Sequence, residues 1–201
     1  HFSPGTLARI EAVLGKSFGG TAEPEAAIQH KPGGEIAPVE LGAYARIAVE
    51  TYVGQYLTLR PAFTERGTII SFATEISWDS EQSCLVFREG EKPDKHHEHL
   101  GRVSIPAASA YVYLVSLTLG AMRMVVVSQL DQANRMCGLI TTLHKAGPTL
   151  VPVSAPIIYM KQASIEAGAL GELKPQHKVF AGYRKLLQDA TADNYVKLVG
   201  G

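Results

Sequence analysis

Thr68-Ile69-Ile70-Ser71-Phe72-Ala73-Thr74-Glu75-Ile76-Ser77-Trp78, followed by Asp79-Ser80-Glu81 and then Ser83-Cys84-Leu85-Val86-Phe87-Arg88-Glu89, is the stretch that decides the fold. β-Branched and aromatic residues dominate both runs, and the break between them carries turn-forming Asp and Ser, so the segment reads as a β-hairpin. Ile70, Phe72, Thr74, Ile76 and Trp78 share one face by period-two alternation, while Ile69, Ser71, Ala73, Glu75 and Ser77 share the other. The first face is the better core candidate.

The same texture extends outward from Tyr56 to Lys161. Strands are expected near 56–60, 101–106, 110–119, 122–130, 136–144 and 151–161, with turns at Leu119-Gly120, Asp131 to Asn134 and Ala146-Gly147-Pro148. With the hairpin this makes about eight strands, and connections this short leave no space for helical crossovers. The expected fold is mainly β: an antiparallel up-and-down barrel, calycin-like, with flanking N- and C-terminal helices. A closed sheet of this size holds either a packed core or one small ligand, so function is sought inside the barrel or at its mouth.

Bulk properties narrow the choice. The chain has 201 residues, 46% hydrophobic and 19% charged, enough for one globular domain with appendages. Lys plus Arg and Asp plus Glu each total 19, so no overall basic field draws the chain to nucleic acid or an anionic membrane. Cys84 and Cys137 lie in expected strands without metal-ligand spacing, and read as buried free thiols in a reducing cytoplasm. No run reaches the ~20 apolar residues of a membrane helix. The expectation is a soluble, cytoplasmic protein that begins at His1 as a processed or truncated product.

Ser3-Pro4-Gly5-Thr6-Leu7 to Gly15 has a capping residue, a first-turn proline and Leu7, Ile10 and Leu14 at helical spacing. Thr6 to Gly15, with Ser17 and Phe18, resembles the last helix of a Cro/repressor (XRE) type helix-turn-helix domain, so 1–18 is assigned to that remnant. A generic amphipathic docking helix has the same pattern. Residues 19–40, rich in Gly, Pro, Ala and Glu, read as a linker, 41–162 as the barrel with a short helix over 41–50 capping one end, and 163–201 as a helical extension. In the extension Pro175 opens a helix whose Val179, Phe180, Tyr183, Leu186, Leu187 and Ala190 form an apolar stripe, for packing on the barrel or for a homodimer contact.

Gly42-Ala43-Tyr44 with Val49-Glu50, then Gly54, Tyr56-Leu57, Arg60-Pro61 and Phe63, then Ile76-Ser77-Trp78-Asp79 with Cys84-Leu85-Val86-Phe87 and Glu89, is similar to the C-terminal half of certain bacterial helix-turn-helix regulators. The similarity runs through Pro152-Val153-Ser154 and Pro156. It implies a regulatory or sensory role with an unidentified small-molecule effector. The helix that would enter the DNA groove is not in this chain, so DNA contact is left to a longer parent protein. The competing expectation is a stand-alone small-molecule carrier or enzyme.

A sensor interior needs apolar walls and a few polar groups. Tyr56, Arg60, Trp78, Tyr111, Tyr113, Arg123, Thr142, His144 and Tyr159 are the strand residues able to supply them. Alternation groups Tyr56 with Thr58 and Arg60, and Tyr111 with Tyr113 and Val115, but both sides of several strands are apolar, so the inward faces stay open. The expectation is that Arg60 and one or more tyrosines line a pocket for a small molecule, with an anion among the candidates. Lys95-His96-His97-Glu98-His99 reads as a solvated loop rather than a metal site, because adjacent residues do not converge on a tetrahedral centre. No G-x-S-x-G, G-x-x-x-x-G-K, H-E-x-x-H or G-x-G-x-x-G motif is present, and Cys137 and His144 fall on opposite faces of one strand. No catalysis, metal or cofactor is expected.

Overall fold

A computed structural model describes residues 34–90, 99–118, 121–192 and 195–197, and the structural statements below concern these. Nine strands alternate with tight turns: β1 (Gly54–Pro61), β2 (Ile69–Asp79), β3 (Cys84–Gly90), β4 (His99–Ser104), β5 (Tyr111–Thr118), β6 (Ala121–Ser128), β7 (Arg135–Ala146), β8 (Thr149–Gln162) and the short β9 (Gly171–Leu173). All pairings are antiparallel. β1 to β8 follow each other round the wall, and β1 closes the circle by pairing with both β2 and β8. The result is an eight-stranded closed up-and-down barrel.

Turn chemistry sets the register. In the β2–β3 hairpin, Asp79 Oδ1 accepts the N–H groups of Glu81 and Gln82 at 2.8 and 2.9 Å. Between β6 and β7, Asp131 Oδ1 likewise accepts from Ala133 and Arg135, both at 2.8 Å. A carboxylate that satisfies its own turn in this way stands in for a backbone turn bond. The ladders then fix which way each side chain points. Tyr56, Thr58 and Arg60 lie opposite Thr74, Phe72 and Ile70, so the face of β2 chosen on alternation is the inner one. Tyr56, Phe72, Ile76, Leu85, Phe87, Leu114, Met136, Ile140 and Ile157 are almost wholly buried in one interior cluster.

Residues 35–53 cap the end of the barrel from which β1 departs. The helix expected over 41–50 is much shorter: α1 (Arg46–Val49) sits between 3₁₀ turns Val39–Leu41 and Glu50–Tyr52. The residues expected as linker contribute as well, since Ile36 bridges Ala45 and Ala37 is buried in the core. Tyr44 fastens the cap by donating its hydroxyl to the Val103 carbonyl (2.7 Å) and accepting from the Leu85 N–H (3.0 Å). Tyr56 donates to the Tyr52 carbonyl at 2.6 Å. Gly42 (φ 108°) lets the cap touch the rim, because a Cβ there would come within 2.9 Å of Pro106 N.

The C-terminal region holds a strand that periodicity did not signal. β9 pairs with the start of β2 beside β3's place in the sheet, and Ser71 Oγ donates to the Ala169 carbonyl. The helix α2 (Phe180–Ala192) begins five residues after Pro175. Its Phe180, Leu187 and Ala190 pack outside the barrel on Leu57, Leu59, Ile69, Cys137, Ile158 and Leu173. The apolar stripe of the tail is therefore spent on the barrel wall. Cys84 and Cys137 are both buried, and Cys137 faces outward under α2 while His144 faces the interior. The proposed helix-turn-helix remnant at 1–18 and all but His99 of the Lys95–His99 run lie outside the described residues.

Candidate ligand site at the barrel mouth

The end opposite the cap is built from polar side chains. Glu89, on the same face of β3 as Leu85 and Phe87, enters the lumen with 1% exposure. Its Oε1 accepts from the Tyr159 hydroxyl (2.7 Å) and more weakly from Thr74 Oγ1 (3.4 Å), which shares a 2.7 Å contact with Thr58 Oγ1. Its Oε2 lies 2.8 Å from Arg123 Nη2. The approach is off the hydrogen-bond axis, so that pair gains Coulomb attraction with little directional bonding. Arg123 comes from β6, three strands round the wall, and crosses the lumen to place its guanidinium 5.5 Å from the centre of the Phe72 ring.

These residues form a polar floor. On its capped side the lumen is filled by apolar side chains, and on the other side the mouth begins. Arg60 lies over the Phe63 ring at 4.1 Å, Phe63 meets the His144 ring at 5.7 Å, and Ser116 faces Arg123 directly across the β5–β6 ladder. Burial pushes the Tyr159 phenol well above its ordinary pKa, the Glu89 charge adds to this, and Arg123 and Arg60 act against it. Tyr159 is thus a neutral, permanent donor to Glu89.

The wall is split beside this mouth. Pairing of β1 with β8 stops at Leu59↔Ile158, and two more steps would set Pro61 opposite Pro156, neither of which has an N–H to donate. On the other flank β6 holds β7 no further than Met124↔Thr141, whereas β7 and β8 stay paired out to Ala146↔Thr149. The distal β7–β8 ribbon therefore projects past the wall, with Leu143 and Leu150 exposed and His144 turned inward against Phe63.

Of the residues selected on sequence, Arg60, Arg123 and Tyr159 come together at the floor, with Thr142 and His144 above them on the inner face of β7. Tyr56 and Trp78 also point inward but toward the cap: Tyr56 stacks edge-on against Tyr159 at 6.4 Å, and Trp78 against Tyr44 at 6.2 Å. Tyr111 and Tyr113 stand on the outer face, because Val112, Leu114 and Ser116 take the inner positions of β5. Glu89, Thr74, Ser116 and Phe63 were not selected. Glu89 was within reach by alternation from Leu85 and Phe87, since exposed Arg88 marks the opposite face.

Three tyrosines give a pH test. Desolvation raises the phenols of Tyr44, Tyr56 and Tyr159 above their unfolded value near 10. Raised pKa values favour the neutral form in the fold, so their contribution is whole below about pH 10 and is lost as pH rises through the folded values. In an alkaline titration, phenolate absorbance from these three is expected to appear together with loss of the circular dichroism signal. Phenolate assigned to Tyr44 or Tyr159, by comparison with single Phe variants, in a still-folded protein would contradict this.

Compared with models of known families, with curated proteins and with solved structures, the chain matches none.

Proposed function

We propose that the barrel is the effector-sensing region of a helix-turn-helix transcription regulator and takes a small molecule at the mouth opposite the cap. The observation that carries this is the polar floor. A barrel built for stability alone gains little from a buried ion pair, whose desolvation offsets most of its attraction, whereas a binding site needs fixed polar groups over an apolar base. The similarity over residues 42–161 to regulator C-terminal halves supplies the regulatory context.

Connectivity agrees with such a role. Residues 34–53 join the N-terminal segment to β1 and carry Tyr44, which bonds strands β3 and β4 at once. A change at the mouth that alters barrel packing has this cap as its covalent route toward a DNA-reading domain. The homodimer that paired half-sites require does not draw on the stripe of α2, which the barrel covers.

The test compares a version extended N-terminally to include a complete helix-turn-helix with the present chain. The extended protein is expected to retard a fragment of its own upstream DNA, with the retardation altered by a cell-extract fraction that also raises the melting temperature of the barrel. The present chain is expected to leave the DNA unshifted. Catalytic turnover by the barrel alone, or failure of the extended protein to bind any upstream fragment, would favour the carrier or enzyme reading.

A further inference from the structure

Three buried donors at the mouth have no hydrogen-bond partner among the described residues: Arg123 Nε and Nη2, and Ser116 Oγ. Arg123 is 8% exposed and Ser116 2%, and the two are directly opposed in the β5–β6 ladder with both side chains inward. An unmade buried hydrogen bond costs about 1–3 kcal/mol, and more for a charged group. Glu89 does not relieve them, because Oε1 already accepts from Tyr159 and Thr74, and Oε2, 2.8 Å from Arg123 Nη2, makes no hydrogen bond in its present orientation. His144 Nε2, on the rim, is buried and unbonded as well. Trp78 Nε1 and Ser83 Oγ share that condition, but they lie toward the cap, away from this group.

We propose that Arg123 and Ser116, with His144 at the rim, bind the oxyanion group of a small organic acid or phosphate. A guanidinium and a hydroxyl that face the interior from directly opposed positions in one ladder are complementary to an acceptor with several lone pairs and a negative charge. Glu89 Oε2, 2.8 Å from Arg123 Nη2, holds the guanidinium in place, so its unpartnered donors are preorganised. Phe63, between Arg60 and His144 beside the split in the wall, is the side chain that must yield for access, and its ring supplies an apolar wall for the carbon part of the ligand. This inference rests on the small-molecule reading above and names the chemistry the ligand must carry.

The experiment follows the Arg123 Nε–H resonance of the ¹⁵N-labelled chain, assigned by its loss in Arg123→Lys, during titration with benzoate, with inorganic phosphate, and with benzamide as the neutral counterpart of benzoate. A saturable shift with at least one anion, none with benzamide, and binding weakened about tenfold in Ser116→Ala are expected. A response to benzoate alone assigns a carboxylate, and to phosphate alone a phosphate. No saturable response in a protein whose amide spectrum is folded, an Nε–H that exchanges magnetisation with a buried water only, or binding untouched by Ser116→Ala overturns the proposal. DNA retardation by the extended protein is read separately. Loss of anion binding with retardation intact therefore refutes this inference alone, and anion binding without retardation refutes the regulator alone.

Discussion

Glu89→Gln is expected to lower the unfolding free energy of the barrel by about 3–5 kcal/mol, because it leaves the Arg123 guanidinium buried without its counter-charge. Arg123 is 8% exposed and Glu89 1%, so solvent does little to screen the loss. For a domain of this size about 2–4 °C accompanies each kcal/mol, which translates to a fall in melting temperature of roughly 6–20 °C. The double variant Glu89→Gln with Arg123→Met is expected to regain most of that stability, since removing both charges removes the desolvation cost together with the attraction. Urea unfolding of the two singles and the double yields the coupling directly. A single-variant loss below about 1 kcal/mol would place the pair in the class of solvated surface bridges and contradict a buried, preorganised floor.

Gly138→Ala is the second large effect, and its origin is steric. Gly138 lies on the inner face of β7 opposite Val127 on one side and Ile157 on the other. A Cβ at this position would stand 2.6 Å from Val127 Cα and closer still to the Val126 carbonyl oxygen. Both are backbone atoms of the neighbouring strand, so no side chain can swing aside, and the β6–β7 ladder holds by four residue pairs between Met124↔Thr141 and Val127↔Gly138. The cost is expected at or above the upper end of the ~1–3 kcal/mol typical of overpacking, with faster amide exchange at Val125 to Val127. Gly168→Ala, where a Cβ meets nothing within 4 Å, is the control and is expected to stay within about 0.5 kcal/mol of the parent. Equal effects at the two positions would refute the steric account.

The inward faces of β2 and β5 were not equally legible from alternation. Alternation put Ile70, Phe72, Thr74, Ile76 and Trp78 on one face, and the ladders make that face the inner one. The same rule grouped Tyr111 with Tyr113 but gave no way to choose their direction, because Val112 and Leu114 are as apolar as Tyr113 and Val115. The choice was made by partners: Val112 and Leu114 fall opposite Val127 and Val125 across a shared interior, while Tyr113 falls opposite Val126 on the outside. Glu89 escaped notice because a carboxylate at the end of a strand ordinarily faces water, and its partners Arg123 and Tyr159 lie 34 and 70 residues further along the chain. β9 escaped because three residues are too few to show a period.

Period-two alternation and Asp- and Gly-bearing turns act between residues close in the chain, and from these the sequence by itself determined a run of antiparallel strands, their order round the wall and the faces each strand offers. The seam at β1 and β8, the inward choice for β5, the cap over residues 35–53 and the meeting of Glu89, Arg123, Ser116 and Tyr159 were decided only in the tertiary structure. Each of these depends on closing the sheet, which joins residues far apart in the chain and selects a single inside; local spacing carries no information about that selection.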